Sequence, residues 1–439
     1  MTAPGLPSRI EPQPWMTEPA TRAVLDALAA GGVEARFVGG VVRDALLGLP
    51  VGGPGSHTDI DLATPAPPEQ VVELLEKAGI KVVPTGLAHG TVTAIPAAQP
   101  GAPRHYEITT LRRDVETYGR HARVAFDADW AADAARRDFT INAIFLSRDG
   151  TLDDPTGGLA DLAARRVRFV GNPATRITED VLRILRYYRF EARFGIGAGD
   201  PQARAACRDQ ADQLPKLSAE RVAQELVRLL ETSDPGAALE MMAEDRVLAV
   251  ILPEGRRLDR LRRMIAIEQG LAGKPMMAGE SGPDPLRRLA ALIAVDAAGA
   301  QTVAERLRLP NAWRDRLQAL APPWLVDPDG DPAAQRRSLY RLGAPRYRDL
   351  VLLQAAEGII SPDQLARLLG IAGEWIAPKL PLTGRDITAR GVRPGPRVGA
   401  LLDAVERWWE AADFVPDRAQ CLDQLERLLS PGIAEEAGI

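Results

Sequence analysis

The sequence predicts an α+β chain: a strand-rich N-terminal part, followed by a remainder that is all helix. Three observations predict this. Short alternating segments with turn residues between them recur from about Val33 to Leu152. The run Asp154-Pro155-Thr156-Gly157-Gly158 then breaks the chain. Beyond it strand patterns nearly vanish and apolar residues recur at helical spacing. At 439 residues the chain is too long for one core and implies about two to four domains.

In order, Thr17 to Ala30 has helical spacing through Val24, Leu25 and Leu28, and Val33 to Val38 reads as a short strand. Gly39-Gly40-Val41-Val42-Arg43-Asp44 reads as a glycine turn leading into a short helix that stops at Gly48. Such a turn lets a phosphate approach bare backbone amides with Arg43 one turn in, but a tight turn alone also needs glycine. After a Gly/Pro-rich loop comes Thr58-Asp59-Ile60-Asp61-Leu62. As a strand it sets Asp59 and Asp61 on one face and Ile60 and Leu62 on the other, a pairing that suits divalent metal or an ordinary half-buried strand. Pro67 to Gly79 is amphipathic, and strands are expected at Ile80 to Pro84, Gly90 to Ile95 and Tyr106 to Leu111. Strand pairing would bring Glu107 beside the first two acids. Arg112 to Phe126, polar and carrying Gly119, reads as a mobile loop. Asp149-Gly150 marks a hairpin between Phe145-Leu146 and Leu152.

Past the break, Thr178 is placed to cap a helix from Glu179 to about Phe194, stopped by Gly195. Arg183, Arg186, Arg189 and Arg193 fall along one face of it, which reads as a solvated stripe or an anion site. Ser218 is a cap for a helix carrying Val222, Leu226 and Leu229, and amphipathic stretches follow at Arg256 to Ile267, Leu286 to Val295, Arg336 to Leu342 and Ala400 to Ala411.

Composition narrows the function classes. A net charge of −5 excludes coating nucleic acid by bulk electrostatics, so any RNA contact needs local basic patches. Two distant cysteines, Cys207 and Cys421, give no disulfide framework or zinc pattern. No apolar run is long enough to span a membrane and Met1 to Trp15 lacks a signal pattern, so the chain reads as cytoplasmic.

Taken together and in order, the Gly39–Asp44 turn, Thr58–Asp61, Thr85-Gly86-Leu87-Ala88-His89-Gly90-Thr91, Tyr106-Glu107, Arg136-Arg137-Asp138-Phe139-Thr140-Ile141-Asn142-Ala143 and Glu179-Asp180-Val181-Leu182-Arg183 resemble the class II CCA-adding tRNA nucleotidyltransferases of the bacterial poly(A) polymerase family. The resemblance implies a polymerase-β-like head with a mostly antiparallel sheet at 1–160, then all-α neck (161–250), body (251–370) and tail (371–439) in an extended hook. It implies template-independent addition of C, C and A to the 3′ end of tRNA from CTP and ATP, with tRNA as partner through its 3′ end and acceptor and T arm, and a tail that binds tRNA. By the same resemblance Asp59 and Asp61 are Mg²⁺ ligands, and Glu107 is the third carboxylate. Gly40, Arg43 and Arg137 match triphosphate positions, Asp138 and Asn142 match the ribose-sensing motif, and Asp180 with Arg183 matches the base-reading pair. Arg186 and Arg189 complete the nucleotide pocket, and 112–126 matches a flexible loop used in switching from C to A.

The base-reading pair also makes chemical sense by itself. At i and i+3 of one helix the two side chains project together. Cytosine and adenine share an amino donor beside a ring-nitrogen acceptor, which a carboxylate beside a guanidinium complements, and uracil and guanine invert that pattern. The histidines are His57, His89, His105 and His121, so a C-terminal His-Asp phosphohydrolase has no ligands here. The rival readings are a poly(A) polymerase, a CC-adding or A-adding enzyme on the same scaffold, and an inactive RNA-binding module.

Overall fold

The computed structural model describes residues 8–51, 60–86, 90–96, 105–118, 121–126, 128–271, 283–324 and 326–430. The chain forms two compact units, Met1–Pro253 and Glu254–Ile439. Among the described residues no helix is long and apolar enough to cross a membrane.

In the first unit the strands are β1 (Arg36–Val38), β2 (Ile60–Thr64), β3 (Lys81–Gly86), β4 (Thr91–Ile95), β5 (Tyr106–Thr110), β6 (Arg112–Tyr118), β7 (His121–Phe126), β8 (Phe145–Leu146) and β9 (Leu152–Asp153). The helices are α1 (Pro14–Thr17), α2 (Pro19–Ala30), α3 (Gly40–Leu46), α4 (Pro68–Lys77), α5 (Trp130–Ala135), α6 (Gly158–Ala163), α7 (Pro173–Glu179), α8 (Arg183–Phe194), α9 (Pro201–Asp209), α10 (Ala219–Leu230), α11 (Gly236–Glu244) and α12 (Val247–Ile251). Seven strands make one sheet in the order β3-β4-β5-β2-β1-β8-β9. Its pairings are antiparallel except β2 with β5. A crossover is what makes that one parallel pair possible: α4, β3 and β4 lie between β2 and β5 in the chain. The alternation expected of β2 is present, with Ile60 and Leu62 buried and Asp61 half-buried on the other face.

In the segment expected to be a mobile loop, 112–126, the described residues 112–118 and 121–126 are instead two strands: β6 and β7 pair antiparallel from Arg112 opposite Phe126 to Tyr118 opposite His121. Polar composition hid it, because a hairpin outside the main sheet need not alternate apolar and polar residues.

A second correction concerns the helix expected from Glu179. It begins earlier and breaks: α7 ends at Glu179, Asp180 is extended (φ −150°, ψ 107°), and α8 starts at Arg183. Thr178 lies inside α7, whose cap is Asn172, accepting from the Thr175 amide at 3.1 Å. The break has a local cause. Asp180 Oδ1 accepts from the Leu182 amide at 3.1 Å, a side-chain-to-backbone bond that competes with continued helix.

Aromatic packing holds α8 against the Arg136–Ala143 segment. Phe139 touches Phe169 and Phe190, each with ring centroids 4.9 Å apart, and Phe169 stacks on Tyr187 at 5.8 Å. All four rings are buried. Each contributes about 2–3 kcal/mol by burial, so this cluster sets where α8 lies relative to the sheet.

The second unit is helical throughout its described residues: α13 (Leu258–Leu271), α14 (Pro285–Leu292), α15 (Ala297–Arg306), α16 (Asn311–Leu320), α17 (Pro332–Leu342), α18 (Ala344–Glu357), α19 (Pro362–Glu374), α20 (Gly384–Thr388), α21 (Pro396–Ala411) and α22 (Arg418–Leu429). One core gathers Leu382, Ile387, Leu401, Val405, Trp409, Cys421 and Leu425. Another part of the unit buries charge. Arg287 and Arg288 hold Glu268 at 2.9 and 2.7 Å, and Asp349 takes Arg287 at 2.9 Å and Arg316 at 2.7 Å. The Arg260 guanidinium donates to the carbonyls of Ala290, Ala291 and Ile293, closing the end of α14.

Candidate active site

Parallel pairing of β2 with β5 sets Asp61 directly opposite Glu107. Both side chains therefore leave the same face of the sheet from neighbouring strands, about 4.8 Å apart. The β1–α3 turn closes over Asp61. Gly39 has φ +77°, and a Cβ built there would lie 3.3 Å from Asp61 Oδ2 and 4.0 Å from Arg137 Nη1. Glycine serves twice at that position, by adopting the left-handed backbone and by leaving space between a carboxylate and a guanidinium. Gly40 then opens α3. Asp59 lies outside the described residues. Two of the three expected carboxylates are thus adjacent, and all-oxygen donors of this kind fit a hard divalent cation.

Arg137 approaches this face from the end of α5. Its Nε and Nη2 donate to Asp133 Oδ2 at 3.1 and 2.9 Å, while Nη1 makes no hydrogen bond among the described residues. Asp133 also takes Arg136 Nε at 2.9 Å. Burial pushes the Asp133 carboxyl up, but the charges of Arg137 and Arg136 and their hydrogen bonds outweigh it and hold the group below the usual carboxylate range.

A polar chain runs from α3 to α8. Arg43 is buried, with Nε donating to Asp44 Oδ1 at 2.8 Å, Nη1 donating to Asn142 Oδ1 at 2.6 Å, and its guanidinium 4.1 Å above the Phe194 ring. Asn142 Nδ2 donates to Asp138 Oδ1 at 3.0 Å, and Asp138 Oδ2 takes Arg186 Nε at 2.9 Å and Nη2 at 2.5 Å. Arg193 returns to Asp44 at 3.4 Å. Burial would raise the Asp138 carboxyl, yet the Arg186 charge, the Asn142 amide and the Phe139 N–H hold it far below its ordinary value. The same pairing raises Arg186. Burial lowers Arg43, with Asp44 partly offsetting it.

The α7–α8 break holds the expected base-reading residues, arranged differently from two side chains on one helix. Asp180 Oδ2 takes Arg221 Nη2 from α10 at 2.8 Å, whereas Arg183 Nη1 donates to Glu179 Oε2 at 2.5 Å and to the Arg176 carbonyl at 2.8 Å. Arg183 Nε and Nη2 make no hydrogen bond among the described residues. Arg189 reaches Glu225 of α10 at 2.6 Å. The arginine stripe is thus not a solvated face: Arg183, Arg186, Arg189 and Arg193 each hold a different carboxylate.

Sequence reading missed the partners: Asp44, Asp133, Arg176, Arg221 and Glu225. Asp44 and Asp133 sit within the quoted motifs or one turn before them, and local spacing signals them. Arg221 and Glu225 belong to a helix tens of residues away, and no periodicity reveals them.

A sheet carrying paired carboxylates beside a glycine turn, with helices of the same unit supplying arginines, defines a nucleotidyltransferase of the polymerase type. The model for the poly A polymerase head domain matches residues 35–168, and that for the probable RNA- and SrmB-binding site of polymerase A matches 200–258. The mitochondrial CCA tRNA nucleotidyltransferase 1 of Mus musculus is 32% identical over 419 residues, covering 92% of this chain and 89% of that protein. The CCA-adding enzyme of Lacticaseibacillus paracasei is 32% identical over 403 residues, covering 89% and 92%. The crystal structure of the Bacillus stearothermophilus CCA-adding enzyme in complex with CTP superposes with a TM-score of 0.74 at 27% identity, covering 96% of this chain and all of that one. The chain belongs to the class II CCA-adding tRNA nucleotidyltransferases, a family whose members use divalent metal.

Proposed function

We propose that this chain adds C, C and A to the 3′ end of tRNA, taking CTP and ATP and releasing pyrophosphate, without a nucleic-acid template. The observation that carries the proposal is Asp61, paired with Glu107 across β2 and β5, with Arg137 Nη1 on the other side of the Gly39 turn. Carboxylates that bind cation, beside a guanidinium that binds phosphate, are what transfer of a nucleotidyl group requires.

The roles follow from position. Asp59 and Asp61 would hold Mg²⁺, with Glu107 beside them near the RNA 3′-hydroxyl. When bound, the metal polarises the phosphate oxygens and lowers the pKa of the attacking hydroxyl. Arg137 and the Gly39-Gly40 turn receive the triphosphate, whose β,γ part leaves as pyrophosphate once the 3′-oxygen has bonded to the α-phosphorus. Arg43 is spent on Asp44 and Asn142, so we assign it to holding the Asp138–Asn142 motif in place below the ribose. Asp180 accepts the amino group of cytosine or adenine, since a carboxylate has acceptor sites left beside Arg221 and Leu182. Arg183 turns its unused Nε–Nη2 edge to the ring nitrogen. Arg186 and Arg189 flank the base. Uracil and guanine would leave these groups unpaired, which is how the pair rejects them.

The division into head (1–160), neck (161–250), body (251–370) and tail (371–439), tRNA binding by the tail, switching from C to A by the β6–β7 hairpin and a cytoplasmic location belong to the same proposal. Purified protein with Mg²⁺ is expected to extend tRNA lacking its 3′ end by C, C and A and then stop, with CTP and ATP supplied separately and together. A long ladder of A from ATP alone would establish a poly(A) polymerase instead, and arrest after CC or addition of A alone would establish a partial enzyme. Asp59→Ala is expected to abolish incorporation while RNA binding persists.

A further inference from the structure

Arg176 lies in α7 and is buried. Its contacts join the two ends of the nucleotide site. Nη2 donates to the carbonyl of Arg136 and, at 2.7 Å, to the carbonyl of Arg137. Nη1 donates to Glu179 Oε2, the same oxygen that takes Arg183 Nη1. The Arg176 carbonyl in turn accepts from Arg183 Nη1 at 2.8 Å. One guanidinium therefore grips the backbone that carries the triphosphate-facing arginine, and shares a carboxylate with the base-facing one. On its far side Arg137 is fixed through Asp133.

We infer that Arg176 is a positioning residue that couples base selection to triphosphate placement, an inference that rests on the functional reading above. A base that draws Arg183 into its pairing geometry shifts the load on Glu179, and through Arg176 this bears on the α5 end from which Arg137 projects. A base that fails to engage Arg183 leaves that register unset, so the wrong nucleotide is penalised at its triphosphate as well as at its base. The fork geometry of guanidinium matters here. It offers separate N–H groups to two carbonyls and a carboxylate, and a lysine ammonium at the same place is a point donor that cannot span them.

The test is Arg176→Lys in the full chain, with melting temperature, tRNA binding, and kcat and KM for CTP and UTP measured on tRNA lacking its 3′ end. The ratio of kcat/KM for CTP over UTP is expected to fall about ten-fold, with KM for CTP raised, tRNA binding unchanged and the variant folded. In Arg176→Lys combined with Arg183→Ala, discrimination should be no poorer than in Arg183→Ala alone, because both act through one link. A purely structural role would lower the melting temperature and leave the ratio intact, and that result overturns the inference. If the lysine variant does not fold, Glu179→Gln breaks the link from its other side while keeping side-chain shape, and the same ratio decides. Native protein that adds neither C nor A to tRNA would sink the functional reading itself; native protein that discriminates as Arg176→Lys does would sink this inference alone.

Discussion

Arg287 and Arg288 of α14 and Arg183 and Arg186 of α8 are all paired with carboxylates, and they are paired differently. The α14 side chains are 2% and 1% exposed, against partners 9% and 3% exposed, and their charges are closed off inside packed helices. Those of α8 are 16% and 31% exposed, with partners at 21% and 12%. A fully buried ion cluster is destroyed by losing one member, because the remaining charge has no water to turn to. A half-exposed pair tolerates loss better and keeps an edge that an incoming ligand can use. Exposure of the fork, more than the number of salt bridges, separates the arginines closed inside the fold from those we propose to select a nucleotide.

The sharpest break of this comparison is Asp349→Ala, which leaves Arg287 and Arg316 without their shared carboxylate. Urea unfolding should show a loss of about 3–5 kcal/mol, while the folded fraction keeps its preference for CTP and ATP. Altered preference in the folded fraction would erase the distinction between the two regions.

Helix α8 has its own closed end, at Glu191. Burial raises this carboxyl to about 7, and Oε1 has no hydrogen-bond partner among the described residues. Gly195 is needed beside it, since a Cβ there would lie 1.9 Å from Glu191 Oε2. With the folded pKa above the unfolded one, the native state binds more protons between about pH 4.5 and 7, so stability falls as pH rises through that window and levels off above it. Glu191→Gln should remove that slope and stabilise the protein at pH 8 by about 3 kcal/mol. Denaturation midpoints measured at pH 5 and pH 8 check it, and an unchanged slope would show that another group titrates.

Asp138→Asn tests the open end. Its depressed pKa means that its ionic contribution is complete above the unfolded carboxylate value near 3.9 and is lost only as pH falls through the much lower folded value. The substitution should therefore cost a similar amount, about 2 kcal/mol, at pH 5 and pH 8. Incorporation should drop more than ten-fold, since Arg186 and Asn142 lose a common anchor. A stability loss without an activity loss would make this network scaffolding, like that of α14.

The smallest stability effect is expected for Arg183→Ala, about 1 kcal/mol or less, because Glu179 retains Arg176. Discrimination against UTP should nonetheless fall at least ten-fold in single-nucleotide incorporation. Unchanged nucleotide preference would remove Arg183 from base reading.

Local chemistry made much of this legible in the chain. Among the described residues, the strand that carries Asp61, the Gly-Gly turn, the hairpin at Asp149-Gly150 and the helical remainder are where periodicity and turn residues place them. The α7–α8 break was missed because apolar spacing runs straight through it, and a single side-chain hydrogen bond from Asp180 ends the helix.

The sequence by itself determined which residues we propose to carry the chemistry: Asp61 and Glu107 on alternating strands, the glycine turn, Arg137, Asp138, Asp180 and Arg183 in motif order. Residue type and period are local properties, and local order suffices to express them. Only the tertiary structure decided that Asp61 faces Glu107 in a parallel pair, that Asp180 is held by Arg221 and Arg183 by Glu179, and that Arg176 joins Glu179 to the Arg137 carbonyl. Those contacts join elements far apart in the chain, and only the burial of apolar surface that packs such elements together fixes which charge meets which.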